Sequence, residues 1–388
     1  MSLRIMHVST RLILGGSQEN TLLSCEGQAD DGHAVSLVFG PIYGPEGSLL
    51  ERAEAHGGIR TILCPSMVRE LAPARDARCL RELRRIIRDW KPDVVHTHSS
   101  KAGILGRMAA WSLGVPAVIH TIHGLAFHPY QARWRNRIYV AAERFAAKRC
   151  HRILCVADAM RDQALAEGIG RPEQYETVWS GMDTAAFLDC PTTREEIRRE
   201  LGFGPDDFVV GQVSRLAELK GHDDVLDAIG RDVGRDHSMR LLWVGDGWWR
   251  ERLLQRASDL GIAGRIVTTG LVPPDRIPHL HRAMDVLVHA SYREGLPRVV
   301  TQGMLSGVPV VAHDVDGTRE VCIDRETGRL IRPGDTDGLR RAILDVRDDP
   351  AAAAAMAARG RELCRERFDA RRMVDHLDRV YREVLDAR

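Results

Sequence analysis

The feature that most restricts what this chain can become is a rhythm. Short apolar runs alternate with longer amphipathic ones, and the alternation occurs twice along the 388 residues. In the first stretch the apolar runs fall at 5–9, 34–39, 60–63, 94–96, 117–121 and 152–156, and each reads as a strand. Between them, apolar residues at helical spacing predict helices over 17–30, 48–56, 77–90, 103–113 and 134–148. Repeated strand–helix–strand units build a parallel sheet with helices on both faces. After Cys190-Pro191-Thr192-Thr193, a linker into a capped helix over 194–201, the rhythm restarts. Strands are expected at 208–213, 240–244, 266–268, 285–290, 309–312 and 330–332. Helices follow at 339–347, 350–368 and 370–386, the last with Met373, Leu377, Val380 and Leu385 at helical spacing. A chain of this length suits two domains, each able to bury its own core. The boundary is placed near 188.

In such sheets the turns after the strands carry the chemistry, because ligands bind outside the strands' carboxyl ends. After the first strand comes Gly15-Gly16-Ser17-Gln18-Glu19, where paired glycines permit close backbone approach and Ser17 is placed to cap the next helix. It is not G-x-G-x-x-G, so a nicotinamide site is not supported. His96-Thr97-His98-Ser99 and His120-Thr121-Ile122-His123-Gly124 follow two further strands. No Asp or Glu joins these histidines at ligand spacing, so no metal is expected. His123, with Gly124 behind it, either donates a hydrogen bond to a bound polar substrate or is satisfied inside the fold. His96 and His120 face back into their strands. In the second half, Arg215 and Lys220 flank a loop closed by Gly221, and two fixed cations beside a helix N-terminus suit a pyrophosphate. Gly245-Asp246-Gly247 ends another strand. Then Glu294-Gly295-Leu296-Pro297-Arg298 turns from strand to helix, with Pro297 as the first helical residue. A carboxylate at that mouth accepts hydrogen bonds from sugar hydroxyls, while the helix end receives phosphate.

Bulk properties exclude several classes. With 55 basic against 54 acidic residues the net charge is +1, which gives no global attraction to nucleic acid, and aromatics at 5% argue against base-stacking platforms. The eight cysteines form no C-x-x-C pair, so reduced thiols in a cytoplasmic protein are expected. No apolar run is long enough to span a membrane, and the N-terminus has no signal-like apolar region. One segment is locally basic: residues 131–152 carry seven Arg or Lys against Glu143 alone, with Trp134, Ile138, Tyr139, Ala142 and Phe145 on an apolar side. It is either a surface helix that touches anionic lipid or a solvated basic face on an ordinary core helix.

Taken together, R-x-x-x-x-K-G from Arg215, the G-x-G turn, E-G-L-P with its helix, and G-V-P-V-V-A-x-D-x-x-G-T-x-E from Gly307 resemble the retaining GT-B glycosyltransferases of family 4, the bacterial sugar transferases that build lipid-linked or exopolysaccharide glycans. The likeness covers nearly the whole chain. It implies an α/β GT-B fold: two facing Rossmann-like, doubly wound parallel-sheet domains, with the C-terminal helix crossing back to the first. The acceptor-binding domain is then 1–188 plus 370–388, and the nucleotide-sugar domain 189–369. By resemblance, Arg215 and Lys220 hold the donor diphosphate, Glu294 grips the sugar hydroxyls, and His123 meets the sugar near the reacting carbon; these four form the catalytic set. Gly15, Gly16, Gln18, His98, Gly245, Asp246, Gly295, Leu296, Pro297, Arg298 and Gln302 line the substrates. The family places a second glutamate eight residues after the first, on the nucleotide ribose, and this chain has Gln302 there. The implied reaction moves a hexosyl group from an NDP-sugar, UDP-sugar favoured, to a hydroxyl of a glycan or lipid-linked acceptor, with retained configuration, no cofactor and no metal. The implied location is the cytoplasm, with possible peripheral contact at the anionic inner face of the membrane. Two other readings are a nucleotide-sugar 2-epimerase of the same fold, and a sugar-nucleotide-binding protein with impaired catalysis.

Overall fold

The computed structural model describes residues 2–43 and 46–387. They form two compact units, one of Met1–Met182 with Ala370–Arg388 and one of Asp183–Asp369. The first unit therefore ends six residues before the expected boundary at 188. The reason is local. Asp183 accepts a hydrogen bond from the Ala186 backbone and so caps the short helix Thr184–Leu188. Thr184 then donates to Asp369 at 2.9 Å, which ties that helix to the second unit.

The first unit holds a seven-stranded parallel sheet of β1 (Arg4–Arg11), β2 (Ala34–Gly40), β3 (Ile59–Leu63), β4 (Val94–His98), β5 (Ala117–Ile122), β6 (Arg152–Cys155) and β7 (Tyr175–Thr177). Their order is β3-β2-β1-β4-β5-β6-β7, so the winding reverses between β1 and β4. Alternate side chains of β1 serve opposite faces. Met6 and Val8 pack with Leu83, Ile87 and Val95 on one side, whereas Ile5 packs with Val94, Ile119, Leu377 and Tyr381 on the other. That second face is closed by the last helix, Ala370–Asp386, which buries Met373, Val374, Leu377, Val380, Tyr381 and Val384. Six such side chains supply on the order of 10 kcal/mol of gross transfer free energy. The helix fits tightly against Gly16–Asp30, since a Cβ at Gly27 would lie 2.6 Å from Val374 Cγ2. Two elements of this unit carry no legible sequence signal. Tyr-Glu-Thr of β7 has no apolar run and is only half-buried, and the helix Asp158–Ala166 buries only Met160 and Ala164.

The second unit holds a six-stranded parallel sheet of β8 (Phe208–Val213), β9 (Met239–Val244), β10 (Ile266–Gly270), β11 (Val286–His289), β12 (Val310–His313) and β13 (Arg329–Ile331). The order β10-β9-β8-β11-β12-β13 reverses between β8 and β11. Its strands read as near-continuous apolar runs because both faces are covered. Val210, Leu241, Trp243, Val286, Val288 and Val311 all join a core with Val225, Ile229, Leu339 and Ile343. The helix Arg194–Leu201 starts at Thr193 in a capping box, with the Thr193 backbone N–H donating to Glu196 Oε2 at 2.8 Å. Among the described residues no helix is long and apolar enough to cross a membrane.

Candidate functional site

Each sheet has one point where the winding reverses, and the connections on either side leave in opposite directions. In the second unit that point lies beyond the ends of β8 and β11. The loop after β8 is clamped there from both sides. Toward β9, Ser214 donates its N–H to the Val244 carbonyl at 3.0 Å, and Leu216 to that of Asp246 at 3.0 Å. Gly245 sits at φ 131, and a Cβ there would fall 2.2 Å from the Ser214 carbonyl oxygen, so no other residue fits without shifting backbone. Toward β11, Tyr292 donates its N–H to the Leu219 carbonyl at 2.9 Å. Gly221, at φ 70, lies so close to Ala290 that a Cβ would stand 2.0 Å from its carbonyl oxygen. Leu219 and Asp316, at φ 64 and 43, are left-handed without being glycine. Such strain persists only where surrounding contacts impose it, and it concentrates at functional sites.

The clamp brings Lys220 onto Glu294. Lys220 Nζ donates to Glu294 Oε1 at 2.7 Å and to Ser291 Oγ at 3.3 Å. His289, the last residue of β11, reaches the same Oε1 at 3.1 Å. The Glu294 N–H donates to Asp316 Oδ2 at 2.7 Å, which fixes the turn. Burial by itself raises the Glu294 pKa, but the Lys220 ammonium and the His289 hydrogen bond outweigh it and hold the carboxyl well below its usual range. Glu294 is thus a fixed carboxylate, partly exposed and aimed by three neighbours. Arg215 lies on the same loop with its guanidinium over the Trp248 ring, 5.6 Å from the centroid. Asp246 is exposed and accepts the Gly247 N–H at 2.7 Å. The helix after the acidic turn is Arg298–Leu305, with Pro297 at its cap rather than in its first turn. Gly295, Leu296, Arg298 and Gln302 are buried there. The sequence reading missed His289, Ser291 and Asp316. Asp316 occupies a variable position inside a motif, and His289 looks like one more strand residue.

In the first unit the reversal lies beyond β1 and β4. Gly15 and Gly16 are exposed there, and Gln18 is half-exposed. The helix starts at Gly16 with Gly15 as its cap, so Ser17 falls inside the first turn and donates to Gln18 Oε1 at 2.8 Å instead of capping. Ser99, after β4, takes φ 59 and ψ 164, a conformation nearly reserved for glycine. Its hydroxyl lies 3.0 Å from that of Thr10 on β1.

His123 is half-exposed and follows β5, whereas His98 is 2% exposed. His98, expected on the substrate, thus stands behind His123 rather than at the surface. Its ring nitrogens are taken by His7, at 2.8 Å, and by His123, at 3.0 Å, because β4 lies between β1 and β5. His96 and His120 are buried, as their strand positions imply. A shallow pocket opens beside His123, lined also by Ser99, Thr121 and Gly124. One wall is Glu143, which pairs with the fully buried Arg107 at 2.6 Å. His7, His96 and His98 have ligand atoms within 4.8 Å of one another. All six of their ring nitrogens already lie within hydrogen-bonding distance of Gln28, Tyr381, Thr121, His123 or each other. A metal would have to break those bonds without any carboxylate to balance its charge.

Two family models match the chain: "Glycosyl transferases group 1" over residues 193–363 and "Glycosyl transferase 4-like domain" over 15–181. The chain is 27% identical over 350 residues to the UDP-Gal:alpha-D-GlcNAc-diphosphoundecaprenol alpha-1,3-galactosyltransferase of Escherichia coli, covering 89% of this chain and 88% of that one. It is 30% identical over 306 residues to the 2-deoxystreptamine glucosyltransferase of Streptomyces kanamyceticus, covering 75% and 78%. Among solved structures, it superposes on the Anabaena protein HepE in complex with UDP and glucose with a TM-score of 0.84 at 21% identity, covering 97% and 99%. Sucrose-phosphate synthase from Thermosynechococcus elongatus gives 0.85 at 19% identity, covering 99% and 100%. At those identities the structural likeness concerns the fold.

Proposed function

Because the chain belongs to the group 1 glycosyl transferases and folds as a GT-B pair of Rossmann-like domains, we propose that it moves a hexosyl group from a nucleoside diphosphate sugar to an acceptor hydroxyl with retained configuration. The observation that carries this reading is the cluster of Lys220, Glu294 and His289 at the reversal point of the second sheet, with Arg215 on the same clamped loop. Arg215 and Lys220 supply fixed positive charge for the diphosphate, whose leaving oxygen gains charge as the glycosidic bond breaks. Lys220 and His289 both reach Glu294 Oε1, which leaves Oε2 to accept from sugar hydroxyls. No carboxylate of the described site is placed as a nucleophile, so a front-face reaction is favoured in which the leaving phosphate takes the acceptor proton. With cations and helix ends at the diphosphate, no metal is required. A uridine donor is favoured because the Escherichia coli relative is named for UDP-galactose.

We further place the protein at the cytoplasmic face of an anionic membrane, where a lipid-linked acceptor lies. On the helix Arg133–Ala147, Trp134, Ile138 and Phe145 point to solvent, 60%, 49% and 45% exposed. Arg133, Arg135, Arg137, Arg144 and Lys148 surround them. Glu143, the helix's one acidic residue, turns inward to Arg107, so the outer face is purely basic and apolar.

The test is transfer by the pure protein from UDP-sugars to lipid-linked and soluble glycan acceptors, with NMR of the product anomer. Lys220→Ala and Glu294→Gln are expected to lose transfer by roughly 10²–10³-fold with the fold intact. An inverted product, or full activity in both variants, refutes the mechanism.

A further inference from the structure

Three helices of the first unit lie side by side on one face of its sheet. Pro73–Trp90, Ser100–Ser112 and Arg133–Ala147 connect β3 to β4, β4 to β5 and β5 to β6. These connections all run the same way across the sheet, and right-handed crossovers then put all three helices on the same side. Leu83 and Ile87 of the first pack with Leu105 and Ala109 of the second. Arg84 Nε of the first donates to Ser112 Oγ of the second at 2.9 Å, and Arg107 of the second pairs with Glu143 of the third. With helix axes 8–10 Å apart and a rise of 1.5 Å per residue, the layer is roughly 25 Å long and 30 Å wide.

The outer side of this layer is basic well beyond the helix Arg133–Ala147. On Pro73–Trp90 the core side is Cys79, Leu83, Ile87 and Trp90. Arg75, Arg78, Arg81, Arg85 and Arg88 are exposed, and their steps of three, three, four and three gather them on the opposite face. The acids of this helix hardly offset them. Asp76 pairs with Lys101, and Glu82 accepts from Ser66 Oγ at 2.8 Å. Asp89, 3.7 Å from Arg85, is the one exposed acid of the helix. Trp111, near the end of the middle helix, is 42% exposed between the two basic helices.

A row of arginines alone would suit any polyanion. The same layer also presents Trp134, Ile138, Phe145 and Trp111, which a soluble polyanion would leave in water. An anionic lipid surface meets both needs, because it offers headgroup charge and an apolar boundary beneath it. We propose that the whole three-helix layer is the membrane-binding surface of the first unit, with the five arginines of Pro73–Trp90 seated on anionic headgroups. This deepens the membrane placement proposed for the helix Arg133–Ala147 and rests on it. Helices of such units run nearly along the strands they cover. A layer lying flat therefore sets the strands along the bilayer, and the reversal point beyond β1 and β4 opens along the lipid surface.

The experiment is co-sedimentation of the full-length protein with vesicles of phosphatidylcholine and phosphatidylglycerol, against phosphatidylcholine alone. The variant is Arg78→Gln, Arg81→Gln and Arg88→Gln together; glutamine keeps the helix propensity, and none of the three arginines lies in the core. Each arginine near an anionic surface is worth about fivefold in partition, so the variant is expected to bind roughly 10²-fold more weakly, with a shallower salt dependence and an unchanged melting temperature. A folded variant that partitions like wild type overturns this proposal and leaves the helix Arg133–Ala147 as the only membrane contact. A wild type with no preference for the anionic vesicles overturns both. A variant that loses affinity for a short RNA duplex while keeping that for vesicles assigns the arginines to a soluble polyanion and also overturns the proposal.

Discussion

Glu294 and Gln302 sit eight residues apart on one turn and its helix, and they illustrate two ways of using an oxygen. Glu294 is charged at every working pH, since the Lys220 ammonium stabilises the ionised form in spite of burial. Gln302 is a neutral acceptor, and hydrogen bonds to charged partners are about twice as strong as neutral ones. If Gln302 binds the ribose, Gln302→Glu is expected to tighten nucleotide-sugar binding by roughly tenfold, read by calorimetry. Unchanged affinity would remove Gln302 from the ribose site. At this scale the sequence named Lys220 and Glu294 through their motifs, and spacing to glycines made them legible. It did not name His7 or Gln28, because a histidine on a first strand and a glutamine on a helix carry no pattern until β4 and the last helix bring them together.

Among elements, the helix Arg133–Ala147 shows how an apolar pattern can mislead about direction. Its periodicity is compatible with packing on a core, yet its inward residues are Val140, Glu143, Ala146 and Ala147. The larger Trp134, Ile138 and Phe145 remain outside, and Arg149 lies 3.6 Å over the Phe145 ring. Substituting all three by Ser removes apolar contacts worth about 1.5–3 kcal/mol each in a lipid interface. On an exposed face the same changes alter stability by only about 0.5 kcal/mol each. The expected outcome is loss of co-sedimentation with anionic vesicles at an unchanged melting temperature. Added salt should weaken wild-type binding, because the cations act over a screened distance. Equal sedimentation of variant and wild type would mean that the helix merely faces solvent.

For the whole molecule, acid should be destabilising in both units. Burial lowers His7 in the first unit, and His222, His281 and His313 in the second, from 6.5 to about 4. Between those values the unfolded chain binds protons that the folded one refuses. Each such histidine therefore removes about 1.4 kcal/mol of stability per pH unit as pH falls from 6.5 toward 4, and none above 6.5. A melting temperature that stays level from pH 7 to 5 would contradict this. Transfer itself is expected to persist in excess chelator if, as proposed, Arg215, Lys220 and helix ends meet the diphosphate charge; loss of activity restored by a divalent ion would reverse that assignment. What the sequence determined by itself was the doubly wound architecture, both sets of loops and the cationic and acidic residues of the second unit. Strand and helix periodicities are local, and so are the glycines that let loops approach one another. Tertiary structure alone decided the Lys220–Glu294–His289 geometry, the outward turn of Trp134 and Phe145, and the contacts that join Gln28, His7, His98 and His123. The first and last depend on strands paired out of chain order or on a helix returning from the far end of the chain, and the second on the pairing of Glu143 with Arg107 of the preceding helix; no local pattern encodes which side chains such packing makes neighbours.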